Sequence, residues 1–255
     1  MIRVGVINFI NALPLFHALT KRIIPNSFDF HIAAPKEINA LLKEGKLDVA
    51  LISSSSFLQN RFSYILLADI GIAATNELSS VRLFYNGDEP FLNHQTILVP
   101  SQAKTSTHLL SILYKYFWNT SPSFQDYEGS GKDLFRQEHP FLLVGDTCLE
   151  HLNGTLSSID LSRAWHELTG KSFVFSVMAT RNEVFKQNPQ GIIEFHRILE
   201  DSYLWSVENR PLIIQEAQQR VRCPKETLEE YFSMLEYKLL PKHFHGLDYF
   251  SSFSL

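Results

Sequence analysis

A buried strand that breaks into a helix within a few residues opens the chain. Val4 to Ile7 is a short apolar run of the kind that lies buried in a sheet. Asn8 ends it. From Ile10 the apolar residues recur at helical spacing, through Leu13 and Phe16 to Leu19. Asn11 is placed to cap that helix through its side-chain oxygen. Pro14 falls in the first turn, where its missing N–H costs little. A strand that enters a helix through a turn with two asparagines sets them beyond its carboxyl end. Open α/β sheets hold ligands there.

The same joint recurs. Leu47 to Ile52 is a buried run followed by Ser53 to Ser56, and Ile97 to Val99 precedes a helix opened by Lys104-Thr-Ser-Thr107. Phe141 to Val144 runs into Gly145-Asp146. Ser172 to Ala179 has a long strand pattern. After Arg181 the texture changes to helical stripes: Ile192, Phe195, Leu199, Tyr203 and Val207, then Leu228, Tyr231, Phe232 and Leu235. No strand is expected there, and Phe244 to Phe253 is aromatic-rich without an assignable element. Alternating strands and helices make the class α/β. Turn residues cluster from Asn86 to His94. The expected architecture is therefore two lobes. Residues 1–86 and 180–255 form one, residues 95–175 the other, with crossovers near 86–95 and 175–180. The strand-to-helix turns line the cleft between them.

Composition narrows the function. Of 255 residues, 20% are charged, and the net charge of −4 is spread along the chain, which argues against nucleic acid as partner. Two cysteines, Cys148 and Cys223, make no disulfide framework. No apolar run is long enough to span a bilayer, and Met1 leads directly into a strand with no signal-like segment. The expectation is a cytoplasmic protein with no membrane partner.

Helix N-termini present free N–H groups and the positive end of the dipole, and the hydroxyls at these turns add donors. Such a cleft suits a small carboxylate-bearing anion. The motifs of nucleotide, P-loop, zinc-protease and hydrolase chemistry are absent. His243 and His245 have the spacing of a metal pair, but no further ligand run accompanies them, so no metal is expected. His17 and His108 sit on helices near two of the turns and are weak acid–base candidates. Asp146 at a helix start complements the dipole. Trp165 and Phe173-Val-Phe175 read as core.

Ile7-Asn-Phe-Ile-Asn-Ala-Leu-Pro-Leu15 resembles the N-terminal motif of the chorismate dehydratase family of the futalosine route to menaquinone. Ile38-Asn-Ala-Leu-Leu-Lys-Glu-Gly-Lys-Leu-Asp-Val-Ala-Leu-Ile52 is similar to the family's next helix and strand. Asp69-Ile-Gly-Ile-Ala73, Ser80-Val81, Lys104-Thr-Ser106, Val144-Gly-Asp146, Asp160-Leu161, Trp165, Leu168-Thr-Gly170 and Phe173-Val-Phe175 follow in the family's order. The resemblance implies a fold like the type II periplasmic binding proteins and a cofactor-independent hydro-lyase without metal. Its substrate would be the dianion chorismate and its product 3-[(1-carboxyvinyl)oxy]benzoate. Turn placement and resemblance together make Ser54, Ser80, Thr105, Ser106, Gly145 and Asp146 the expected substrate contacts, with Asn11 as the catalytic residue. Two alternatives stand beside this. One is an enzyme like 1,4-dihydroxy-6-naphthoate synthase of the same pathway, whose Ser-Pro-Cys-Pro-Asn-like start is absent here. The other is a non-catalytic cytosolic binding protein for a small carboxylate.

The pattern departs from the family at several places. Ser79 stands where the family carries an arginine, and Thr75-Asn-Glu-Leu78 lacks its Asp-Gly turn. Ala103 replaces a common serine, and Lys171-Ser172 replaces a Leu-Pro pair. Lys104 and Arg82 are then the cations left to face a carboxylate.

Overall fold

A computed structural model describes residues 1–87, 96–129, 131–152 and 154–253. In chain order the first part holds β1 (Arg3–Ile7), α1 (Leu13–Thr20), β2 (Asp29–Ala33), α2 (Pro35–Lys43), β3 (Val49–Ser53), α3 (Ser54–Gln59) and β4 (Tyr64–Ala74). The middle holds β5 (Val81–Tyr85), β6 (Thr96–Pro100), α4 (Lys104–Ile112), β7 (Ser123–Tyr127), β8 (Phe141–Val144), α5 (Asp146–Leu149), β9 (Ser157–Asp160) and α6 (Leu161–Thr169). The last part is β10 (Phe173–Arg181), α7 (Asn182–Gln187), α8 (Pro189–Glu208), α9 (Arg210–Arg220), α10 (Lys225–Met234), β11 (Glu236–Lys238) and α11 (Pro241–Ser251).

The strands form two mixed sheets. One runs β11-β4-β10-β3-β1-β2 and the other β7-β6-β8-β5-β9. β1 pairs in parallel with β2 and β3, while β10 is antiparallel to both β3 and β4. In the second sheet β6 is parallel to β7 and β8, and β5 is antiparallel to β8 and β9. Each sheet with its helices makes a lobe, so the α/β class and the two-lobed form stand as the residue patterns implied.

The sheets exchange strands at other places than the turn signals suggested. β5, expected in the first lobe, belongs to the second sheet, so the outgoing crossover lies between Ala74 and Val81. β10 is already in the first sheet at Phe173, so the return lies between Thr169 and Phe173. The turn expected from Asn86 to His94 lies outside the described residues from position 88 onward. Turn-forming residues mark a hairpin and a lobe crossing alike, and only strand pairing separates them. β4 runs as one strand from Tyr64 to Ala74. Asp69 takes φ +70° within it, and its pairing with β10 shifts register. β11 was not expected at all: three residues at a sheet edge are too few to show a period.

A continuous apolar core crosses both lobes, from Val4 and Ile52 in the first sheet to Leu83 and Ile97 in the second, and on to Leu110 and Trp165. Trp165 is fully buried against Phe173 and Phe250, with centroids 5.5 and 6.1 Å away, as its core reading requires. Phe250 lies on α11, so the unassigned aromatic segment is the helix that seals this junction. His243, the first histidine of the possible metal pair, is fully buried on α11. Its Nδ1 accepts the Leu240 N–H at 2.8 Å, and its Nε2 lies 3.1 Å from Glu236. Among the described residues no group of three metal-ligating side chains converges.

α11 approaches the start of β10 through Gly246. A Cβ there would lie 2.0 Å from the Ser172 carbonyl oxygen. Gly170, which ends α6 at φ +67°, has open space around the same position. Gly246→Ala is expected to lower unfolding free energy by about 1–3 kcal/mol through forced displacement of the helix. Gly170→Ala meets only the left-handed backbone cost of roughly 1–2 kcal/mol. Urea unfolding of both variants checks this; in addition, only Gly246→Ala should raise proteolysis near α11.

Candidate active site

The cleft between the lobes holds about 690 Å³, open on one side to solvent. Its apolar wall includes Ile7, Phe9, Ile72, Leu78, Val144 and Phe175. Its polar side is built from the ends of strands and starts of helices: Asn11, Ser53, Ser80, Lys104, Thr105, Ser106 and Gly145.

Asn11 does not cap α1. It sits inside a short 3₁₀ turn, Ile10–Ala12, and α1 begins at Leu13 with no side-chain cap. The tight turn is entered from extended backbone at Phe9, so the asparagine is carried past the cap position toward the cleft. Two tyrosines brace it. Tyr237 Oη donates to the Asn11 carbonyl at 2.9 Å. Tyr231 is wholly buried, which raises its phenol pKa; Ser80 and Asn11 act against that shift as hydrogen-bond partners. Asn11 Oδ1 is left buried, with no partner among the described residues. A buried acceptor of this kind is costly unless something fills it.

Ser54, expected to touch ligand, does not line the cleft. It is fully buried and donates to the Val174 carbonyl at 2.6 Å, tying α3 to β10. Ser53 lines the cleft instead. Asn39 holds it from both sides: Asn39 Nδ2 donates to Ser53 Oγ, and the Ser53 N–H donates to Asn39 Oδ1. Four adjacent serines give no cue to which hydroxyl faces out, because that depends on where the strand stops.

In α4 the first intrahelical bond runs from the Thr107 N–H to Ala103 O. The N–H groups of Lys104, Thr105 and Ser106 therefore have no partner within the helix. Thr105 Oγ1 accepts the Ser55 N–H at 3.1 Å across the cleft, which leaves its own hydrogen to donate. Lys104 lines the cleft with its ammonium 3.8 Å from Asp126 and largely exposed. Arg82 does not compensate for Ser79. Its guanidinium is held by Glu77 at 2.9 Å, Ser158 at 3.0 Å and Asp160 at 3.6 Å. Ser79 itself is turned to Met234 Sδ, 3.6 Å away, and does not line the cleft.

Gly145 lines the cleft, but its N–H is engaged by the Ser80 carbonyl at 2.7 Å and is not offered to a ligand. Asp146 lies behind it. Its carboxylate accepts the Ile10 N–H at 3.1 and 3.3 Å, joining the second lobe to the first. The two helical histidines are elsewhere. His17 stacks on Trp205 at 5.9 Å, and His108 packs edge-on to Phe250 at 5.2 Å; burial lowers the pKa of both.

Burial pushes the Asp146 carboxyl up to about 6 from 3.8, against the Ile10 hydrogen bond, which favours the charged form. The folded state thus holds the proton more tightly than the unfolded chain. Stability from this group falls as pH rises from about 3.8 to about 6 and stays reduced above that. The expected span is roughly 3 kcal/mol. Asp146→Asn is therefore expected to be more stable than the parent at neutral pH and equal to it near the lower end of the window, by urea midpoints measured across it.

A family model described as menaquinone biosynthesis matches residues 2–254. A chorismate dehydratase of Thermus thermophilus is 30% identical over 196 residues, covering 70% of this chain and 69% of the relative. A crystal structure of an Archaeoglobus fulgidus protein superimposes with TM-score 0.80 at 17% identity, over 98% of this chain and 95% of that one. A Candida albicans protein described as having the generic periplasmic binding protein fold gives TM-score 0.66 at 12% identity, over 100% and 91%. The two-lobed fold is thus that of the periplasmic binding proteins, and the chain belongs to the menaquinone biosynthesis family.

Proposed function

We propose that this protein is a chorismate dehydratase, a hydro-lyase that converts chorismate to 3-[(1-carboxyvinyl)oxy]benzoate and water. The observation that carries the reading is the unpartnered Oδ1 of Asn11, in a cleft that Thr105 and Ser106 also line from the start of α4. Family membership and a chorismate dehydratase relative support it.

The free N–H groups at the start of α4, the Thr105 and Ser106 hydroxyls and Lys104 suit the ring carboxylate. The hydrogen to be lost sits on a ring carbon vinylogous to that carboxylate, so the electron pair left behind delocalises toward it. Donors at that end stabilise the developing charge. Among the described residues no carboxylate or histidine lines the cleft to remove the hydrogen, and Asp146 is turned to Ile10. The substrate's own enolpyruvyl carboxylate is tethered beside that carbon and takes the proton. Intramolecular delivery offsets its weakness, with effective molarities of about 10⁵ M or more. The ring electrons then expel the neighbouring hydroxide, which takes the proton from the new carboxylic acid. Water leaves, the carboxylate is restored and the ring becomes aromatic. Asn11 orients the leaving hydroxyl, its Oδ1 accepting that group's O–H so that the hydroxyl oxygen faces the new carboxylic acid that protonates it.

Ser79 in place of the family's arginine favours one second reading, a carboxylate-binding protein without turnover. Incubation with chorismate followed by chromatography separates the two. The enolpyruvyl benzoate is expected; stoichiometric binding of unchanged chorismate would instead establish the second reading. Asn11→Ala is expected to lower turnover by about 10²-fold or more, through lost positioning, with the fold intact by circular dichroism. Thr105→Ala should weaken chorismate binding by about 1.5–3 kcal/mol. His17→Gln, remote from the cleft, should keep most activity. Full activity in Asn11→Ala would sink the mechanism.

A further inference from the structure

A second hollow lies on the outer side of the first lobe, where α8, α9, α10 and β11 meet. It holds about 750 Å³ and opens to solvent. Its floor is aromatic and apolar: Tyr203, Phe232, Leu235 and Tyr237, with the two tyrosine rings 5.5 Å apart. Polar groups interrupt it; the Ser233 hydroxyl donates to the Glu230 carbonyl at 2.6 Å, which leaves Ser206 and Arg210 to face a ligand. Ser206 is 3% exposed, and its Oγ has no partner among the described residues. Arg210 stands at the rim, held by its Nη2 donating to the Glu229 carbonyl at 2.7 Å. A hydroxyl and a guanidinium on an otherwise apolar hollow match an anion with a ring-sized body.

We propose that this hollow is a second ligand site for a small aryl or arylalkyl monocarboxylate, coupled to the interlobe cleft through Tyr237. The ring of the ligand packs on Tyr203 and Phe232, and its carboxylate meets Ser206 Oγ and the Arg210 guanidinium. The dianion of the main cleft is not matched, because a second carboxylate would face the apolar floor. Tyr237 lines the hollow and donates to the backbone of Asn11, so filling the hollow acts on the residue that lines the main cleft. The site does not depend on what the main cleft binds or turns over.

The test uses ¹⁵N-labelled protein and 3-phenylpropanoate as probe, with 3-phenylpropanamide as its neutral counterpart. The acid is expected to give saturable shifts at the amides of Ser206 and Tyr237, and to move the Asn11 amide. The neutral amide on the parent protein, and the acid on Arg210→Gln, should bind about tenfold or more weakly. In Tyr237→Phe the acid should still shift Ser206 while Asn11 stays still. Shifts confined to Thr105 and Ser106, or none with the probe at millimolar concentration, overturn the site. Equal affinity for acid and neutral amide overturns the carboxylate assignment even if Arg210→Gln fails to fold. An unmoved Asn11 amide at saturation overturns the coupling.

Discussion

The lobes meet where one residue has no side chain. Gly145 sits at φ +71°, and a Cβ there would lie 2.8 Å from the Phe9 ring. That absence lets the end of β8 close on the end of β1. The Gly145 N–H continues the β5–β8 pairing to Ser80 O within the second lobe, and the next residue, Asp146, reaches across to the Ile10 N–H. A side chain at Gly145 would hold the walls apart and strain the backbone as well. The bond from the Ser55 N–H to Thr105 Oγ1 makes a second tie across the cleft. Both ties need the lobes within hydrogen-bond reach, and at the β8 end the missing side chain of Gly145 permits that approach.

This closeness shapes the chemistry. The cleft has apolar walls and a few donors fixed by backbone and helix geometry. In such surroundings a hydrogen bond to charge is stronger than in water, and its donors do not reorganise as charge develops. Several polar groups beside these turns are engaged away from the cleft. Asp146 is occupied by Ile10, Arg82 is held by Glu77 and Asp160, and Ser79 faces Met234. Among the described residues, the polar side chains that line the cleft are neutral hydrogen-bonding groups and Lys104. An asparagine braced by two buried tyrosines is a rigid acceptor, and rigidity is the property that positioning requires.

Much of this was legible in the residues. Apolar runs of strand length, each followed by a helix-starting turn, implied an α/β chain of two lobes with a cleft at its strand ends, lined by hydroxyl and amide residues. Asn11, Ser80, Thr105, Ser106 and Gly145 do line the cleft. The misplacements have a common cause. Asn11 was read as a cap because a 3₁₀ turn and an α-helical start have the same residue types. Ser54 was chosen over Ser53 because the residue where β3 ends decides which hydroxyl faces out. The Gly145 N–H looked free because its acceptor, Ser80 O, is distant in sequence. Tyr231 and Tyr237 were read as core or passed over, and burial alone does not reveal a phenol that holds a distant asparagine.

The sequence by itself determined the alternation of strands and helices, the helical C-terminal third and the chemical character of each turn. These follow from periodicity and from side-chain chemistry within a few residues. Which sheet takes β5 and β10, which serine faces the cleft, which N–H stays free and which cation is withdrawn were decided only by the tertiary structure. Most are settled by a partner remote in the chain, and the pairing or hydrogen bond that settles each exists only once the chain has packed.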